Sequence, residues 1–512
     1  MPAETGLQGS FSYIDWGIII AYMLGTVLVG LYVRRYVSNM ADYIVAGRAL
    51  KSYLGIATMI GTELGLVTVM YSSQKGYTAG FAAFHIALAA AVVTLVVGFS
   101  GFIVVPLRRM GVMTIPEFYE KRFGRSVRIA GGLILALSGI LNMGMFLKAG
   151  SLFVMGVTGM TSGLHLKVIM TVLLAIVLFY TILGGMISVV ITDYVQFVVL
   201  SVGLLLSCLF AVRSLGWNNI VETIITMKGR AGFDPFGETF GTSYIMWMVF
   251  MGLVSCAIWQ TAVMRACAAE SEKVVKRVYI WSSVGFLIRF LIPYFLGICA
   301  FVYFSSRPEV SCLVGRDNDL SLMAMPVMLS RILPVGMLGL ITAGMLAAFM
   351  STHDSYLLCW SSVLTQDVAA PILKERLSTR SRLLLTRIFI FLIGVFLLIW
   401  GLWYPLGEDL WDYMTITGAV YAVGAFSLLV FGLYWKKASR AGAMMSLISG
   451  ISSILGLNVF LRQINRLIEP YIGMAVSHAT VCLAALALSV AVMIAGSFAF
   501  PDDMGRSEKE GN

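Results

Sequence analysis

Long apolar runs separated by short polar connections occupy the chain from Tyr13 to Phe500. Thirteen can be distinguished, at about 13–33, 52–74, 79–107, 129–157, 167–186, 187–212, 242–264, 278–304, 333–366, 384–404, 411–435, 441–461 and 472–500. Each reaches the roughly 20 residues that a helix needs to cross the hydrocarbon core of a bilayer. The runs are continuous, not alternating, which excludes a transmembrane β-barrel. The pattern predicts an all-α polytopic membrane protein with one transmembrane domain over 1–500 and a polar, disordered tail over 501–512.

Polar residues inside those runs break the pattern. Thr342–Asp354 sits in the ninth run, yet Ser351, Thr352, His353 and Asp354 follow one another there. A carboxylate at mid-membrane costs about 2.5–3.5 kcal/mol on insertion scales, so it faces a cavity, an ion or a partner. At about 100° per residue, Ala348, Ser351, Thr352 and Ser355 share one helix face, with Asp354 on its border. That face offers oxygens and little bulk, as a small hard cation requires. The second run carries Gly55, Gly61 and Gly65, with Glu63 between the last two. Glycines there either ease close helix packing or mark an interrupted helix whose freed carbonyls bind ions. The embedded Glu63 favours interruption.

Composition agrees with a membrane chain: 59% of 512 residues are hydrophobic, 12% are charged, and mean hydropathy is +0.90. A soluble surface needs far more charge. The formal charge of +10 would suit nucleic acid, but its distribution gives an orientation instead. Alternate connections collect 24 of the 36 basic residues on one side and 10 on the other, with Lys148 and Arg289 inside the membrane. The positive-inside rule then puts the N-terminus outside and the C-terminus in the cytoplasm, in the cell (inner) membrane. No nucleic-acid partner is expected. Seven cysteines without CxxC spacing support neither a disulfide framework nor a zinc site.

The remaining candidates have a structural and a functional reading side by side. Lys148, in the outer half of its span, either snorkels to the interface or pairs inside the bundle. Arg289 needs a carboxylate or carbonyl partner, and a structural ion pair ranks above substrate binding. Asp193 suits either a helix N-terminus or an ion path. Trp259 packs or stacks on a substrate, and Gln260 follows it mid-span. Thr114 and Pro116 open a short amphipathic helix between spans. His85, His165, His353 and His478 lie on separate segments, and there is no HExxH, GxSxG or P-loop. No enzyme is indicated, and an ion gradient is the remaining energy source.

Several stretches together resemble the sodium/solute symporter family. They are Asp42–Arg48 (DYIVAGR), Thr114–Phe118 (TIPEF), Gly184-Gly185 through Thr192–Gln196, Gln260 with Arg265 and Ala268-Ala269, Ala347–Thr352 through Ser361–Asp367, and Gly432–Lys437 with Arg440–Ala443. The resemblance implies a LeuT-type fold: a peripheral helix at 13–33, inverted five-helix repeats at 52–212 and 242–435, and two peripheral helices at 441–500. It implies a sodium site made by the backbone oxygens of Gly61, Leu64 and Ala348 and the hydroxyls of Ser351 and Thr352. Asp193 and Asp354 become candidates for further cation contacts, and Glu63, Val67, Thr68, Lys148, Trp259 and Gln260 for substrate contacts. His353 matches no family role. Galactose-type members carry polar residues where Trp259, Val67 and Thr68 stand, and the proline permease has Ser-Gly-Trp where this chain has Gly65-Leu66-Val67. Neither sugar nor proline is therefore implied.

The expected activity is symport of sodium with a small organic solute, an amino acid or organic anion rather than a sugar, by a monomer in the lipid bilayer. Proton coupling is one alternative. A membrane sensor on the same fold is another, for which the tail at 501–512 is too short to hold a signalling domain.

Overall fold

The computed structural model describes residues 11–33, 50–160, 162–307, 318–373 and 377–502; the side chains of 183–197 fall outside that description. The stretch at 42–48, Cys312 and residues 503–512 also lie outside it. Helices make up the described chain: α1 (Tyr13–Val33), α2 (Ser52–Glu63), α3 (Leu66–Ala79), α4 (Phe84–Ser100), α5 (Val104–Arg109), α6 (Ile115–Phe123), α7 (Arg125–Asn142), α8 (Phe146–Thr158), α9 (Gly163–Leu215) and α10 (Trp217–Lys228). The series continues with α11 (Gly241–Leu253), α12 (Gln260–Ala268), α13 (Glu272–Ser305), α14 (Asn318–Ile332), α15 (Met337–Val363), α16 (Thr379–Trp403), α17 (Leu410–Tyr434), α18 (Arg440–Gly450), α19 (Asn458–Ile472) and α20 (His478–Ala499).

Among the described residues, eight helices are long and apolar enough to cross a membrane, or nine if one bent pair counts as a span. The expected count of thirteen is not confirmed by this measure, which covers the described residues alone. α15 carries too many polar residues inside the protein to pass as lipid-facing, and its whole middle is buried. The second run is two short helices. The helix assignment shows no division at Gly184-Gly185: α9 is continuous over 53 residues. Two glycines loosen a helix but leave its N–H groups in place, so they permit a break without compelling one. The twelfth run ends early, and after Gly456 the chain turns by 85° into α19.

α3 and α13 cross at the centre of the bundle through glycines. A Cβ on Gly76 would lie 2.0 Å from the Tyr294 carbonyl oxygen, and one on Gly297 would lie 1.9 Å from that of Ser73. Small residues let two backbones approach where lipid supplies no hydrophobic drive. Gly76→Ala or Gly297→Ala should therefore cost about 1–3 kcal/mol by overpacking, read as a lowered Tm in detergent. Gly17→Ala, which meets nothing within 4 Å, should leave Tm unchanged.

Candidate functional site

The interruption expected in the second run is present. α2 stops at Glu63, Leu64 leaves the helical region (φ −92°, ψ 68°), Gly65 is extended (φ −95°, ψ 170°), and α3 begins at Leu66. A helix end leaves its last carbonyls without intrahelical donors. Here the Leu64 N–H donates to the Ile60 carbonyl at 2.8 Å, and the Thr68 hydroxyl donates back to the Glu63 carbonyl at 2.7 Å. Gly65 rests directly on α15: a Cβ there would fall 2.1 Å from Thr352 Oγ1. Thr352 in turn donates to the Ala348 carbonyl at 2.9 Å. Gly61, Leu64, Ala348, Ser351 and Thr352 are all buried, so the break and the hydroxyl face of α15 meet inside the protein.

A second interruption has no glycine or proline at its centre. α11 ends in one wide π turn over Val254–Ile258, Trp259 is extended (φ −74°, ψ 129°), and α12 starts at Gln260. Nothing in the residue types around Trp259 marks that change, and hydropathy predicts one uninterrupted span over 242–264.

Between the two breaks lies a small cavity of about 70 Å³. α3 supplies Val67, Thr68 and Tyr71, and the second break supplies Ser255 and Trp259. Asn142, Phe146, Thr352, Tyr356, Trp411, Thr415 and Gly418 complete most of its wall. Its two charged residues are Glu63 and Arg289, joined at 2.7 Å between Oε2 and a guanidinium nitrogen. Arg289 sits over the rings of Phe286 and Phe290, 4.0 and 4.5 Å from their centroids. Its Nε is buried without an acceptor among the described residues. The structural ion pair expected for Arg289 is there, and it forms part of the cavity wall.

Four of the six expected substrate contacts, Glu63, Val67, Thr68 and Trp259, line this cavity; Lys148 and Gln260 do not. Lys148 pairs with Asp319 of α14 at 2.7 Å, so it is held inside the bundle and does not snorkel. Gln260 Oε1 accepts the Ile115 N–H at 2.9 Å, which docks the start of α6 on α12. The Thr114 hydroxyl caps α6 and also donates to Asp367 Oδ1 at 3.0 Å, and Arg128 meets the same oxygen at 2.9 Å. Three of the stretches quoted for the family resemblance are thus one contact in space.

Asp354 turns to α9, where it accepts a hydrogen bond from the Thr181 hydroxyl. Asp193 lies on the same helix, among the side chains outside the description. His353 points away from the Thr352 face: its Nδ1 lies 2.9 Å from the Phe349 carbonyl, and its ring packs on Phe349 and Phe146.

Lys75, one residue past the second apolar run and so expected in a connection, is buried in α3, with Nζ 2.8 Å from Asp409 and 2.7 Å from Asp412. Tyr244 donates to the other Asp412 oxygen at 2.9 Å, and Tyr71 packs on Trp411 with centroids 4.7 Å apart. This latch ties α3 to α17 at one end of the cavity. At the other end Arg265 of α12 reaches Thr58 of α2 and Ser355 of α15, each at 3.4 Å. A lysine just past an apolar run looks like a loop residue unless its partners, more than 300 positions away, are known.

Residues 43–450 match the family model described as the sodium:solute symporter family. The chain belongs to that family. Among similar proteins, the sodium/sialic acid symporter SiaT of Proteus mirabilis is 23% identical over 87% of this chain and 89% of its own. Sodium/proline symporter 2 of Staphylococcus saprophyticus is 23% identical over 90% and 89%. Sodium/glucose cotransporter 4 of Danio rerio is 24% identical over 88% and 72%. The solved structure of a substrate-bound, outward-open Na+-coupled sialic acid symporter superposes with a TM-score of 0.79 at 20% identity, over 96% of this chain and 98% of that one. The fold is of the LeuT type, the protein is an integral membrane transporter and not an enzyme, and sodium is the co-transported ion of its family.

The buried pair should behave asymmetrically on mutation. Removing one partner strands a charge and costs about 3–5 kcal/mol, whereas neutralising both removes that penalty. Denaturation of Arg289→Gln, Glu63→Gln and the double variant should show each single change costing more than the two together.

Proposed function

We propose that this protein couples inward sodium movement to uptake of an amino acid or related zwitterion by alternating access. The observation that carries the solute class is the Glu63–Arg289 pair on the cavity wall. A zwitterion can exchange with it: the solute carboxylate replaces Glu63 on Arg289, and its ammonium replaces Arg289 on Glu63. Every charge stays paired. An organic anion without an ammonium would take Arg289 and leave Glu63 buried and uncompensated, at a cost of several kcal/mol. A sugar would find the pair already closed. The buried Arg289 Nε offers a further donor to a carboxylate. Proline, named for one relative, carries both a carboxylate and an ammonium.

Sodium is assigned to the meeting of the first break with α15, with the backbone oxygens of Gly61, Leu64 and Ala348 and the hydroxyls of Ser351 and Thr352 as ligands. What supports this is the seating of Gly65 on Thr352 and the carbonyl-rich end of α2 beside it. Thr352 also lines the cavity, so ion and solute would share a wall. Asp354, which faces α9, and Asp193 are proposed as further cation contacts. One charge moving inward gains about 2.3 kcal/mol per 100 mV, worth roughly 50-fold accumulation. The reading takes 52–212 and 242–435 as the inverted repeats and a monomer as the working unit. It places the N-terminus and the Lys75 latch outside, with Arg265 and Arg128 on the cytoplasmic side.

Two experiments test it. In a thermal-shift screen, zwitterionic amino acids with sodium should raise Tm; at 100 times Kd the stabilisation is about 2.7 kcal/mol. Stabilisation by sugars, or by monocarboxylates as strongly as by amino acids, would count against the class. In proteoliposomes, Ser351→Ala and Thr352→Ala should raise the sodium concentration for half-maximal uptake about tenfold. An unchanged sodium requirement would remove the site, and indifference to an imposed sodium gradient would remove the coupling.

A further inference from the structure

α19 is amphipathic and lies across the end of the bundle. It follows the 85° turn after Gly456 and precedes α20, which begins at His478, 3.6 Å from Asp412. Because α18 and α20 run along the crossing direction, a helix at 85° to the first of them lies along the membrane plane. Phe460, Ile464, Leu467 and Tyr471 recur at i, i+4, i+7 and i+11, which makes one stripe. Leu467 is 71% and Tyr471 90% exposed, whereas Leu457 and Leu461 pack inward. Arg462 and Arg466 occupy the face opposite the stripe. An apolar stripe backed by arginines suits a helix lying in the headgroup layer, with aliphatic and aromatic groups on acyl chains and guanidinium groups among phosphates.

The same helix holds the latch loop. The Asn458 side-chain amide, at the start of α19, donates to the Gly407 carbonyl at 2.5 Å. Gly407 is two residues before Asp409, which grips Lys75. At the middle of α19, Asn465 exchanges two hydrogen bonds with the Val476 backbone, at 2.8 and 3.1 Å, so the helix is pinned at its start and at its middle.

We propose that α19 is an interfacial anchor: its Phe460–Tyr471 stripe docks on the phospholipid layer at the Asp412 end, and through Asn458 it clamps the loop that closes the Lys75 latch. The occupant is lipid because the stripe lies in the membrane plane and the opposite face is cationic on balance, with Arg462 and Arg466 outweighing Glu469. The anchoring part stands on the geometry of α19 alone. The clamping part rests on the latch being a barrier that opens during transport.

The full chain in phosphatidylglycerol–phosphatidylethanolamine vesicles tests both parts. A photo-crosslinking benzophenone residue at position 467 should yield lipid adducts by mass spectrometry, and one at 466 should yield few. Equal yields at the two positions, no lipid adduct at 467, or crosslinking at 467 to a second copy of the chain would overturn the anchor. For the clamp, Thr415→Cys places a thiol on the cavity wall. A Cys312→Ser background removes the cysteine that lies outside the described residues; of the other six, five are buried and Cys208 is half-buried. Labelling by a membrane-impermeant maleimide added on the latch side should be several-fold faster with N458A and at least as fast with K75Q. A rate raised by K75Q but not by N458A would overturn the clamp. A rate raised by neither would overturn the latch, and the clamp with it, leaving the anchor to its own result.

Discussion

A helix that stops inside a bilayer frees backbone groups that lipid cannot satisfy, so something in the protein has to answer them. Here the answer is α15. Gly65 lies against Thr352 so closely that no side chain fits between, and the Thr68 hydroxyl turns back to the Glu63 carbonyl. The break can exist only because α15 passes beside it, and α15 can carry Ser351 and Thr352 only because it is shielded from lipid on every side. The two elements are unstable apart in hydrocarbon and consistent together. The rest of the core surrounds that contact, and the cavity opens from it.

The second consequence is electrostatic. Glu63 emerges where α2 ends and meets Arg289 from α13 across the cavity wall. A buried pair is costly to form and more costly to break on one side only. A solute able to replace both partners at once avoids the second cost, which is the ground for the zwitterion proposed as substrate. The same reasoning separates Lys148 from the site. Its charge is compensated by Asp319, and neither residue lines the cavity.

The ends of the cavity are built differently. One is closed by a lysine between two carboxylates, supported by Tyr244 and by the Tyr71–Trp411 ring contact. The other brings Arg265 of α12 to hydroxyls of α2 and α15. Both sets of contacts connect one of the broken helices to elements beside it. A change in the angle of either broken helix must therefore exchange polar contacts at an end, which is how a rigid bundle can present two discrete states.

Hydropathy and residue identity determined a membrane chain of long helices, the polar face of α15 and the interruption at Gly61–Gly65. Each is a local property: a run length, a helical phase, a carboxylate between glycines. The capped helix at Thr114 was legible for the same reason, since its signal lies within a few residues. Tertiary structure alone decided what depends on residues far apart in the chain. Lys75 finds Asp412, Arg289 finds Glu63, and Gln260 faces Ile115 instead of a solute, because packing brings helices together that sequence distance separates by 145 to 337 positions. The break at Trp259 belongs to the same class. No glycine or proline announces it, and the backbone opens there because neighbouring helices satisfy what it releases: the Trp259 indole donates to Tyr356, and the Tyr279 hydroxyl donates to the Cys256 carbonyl.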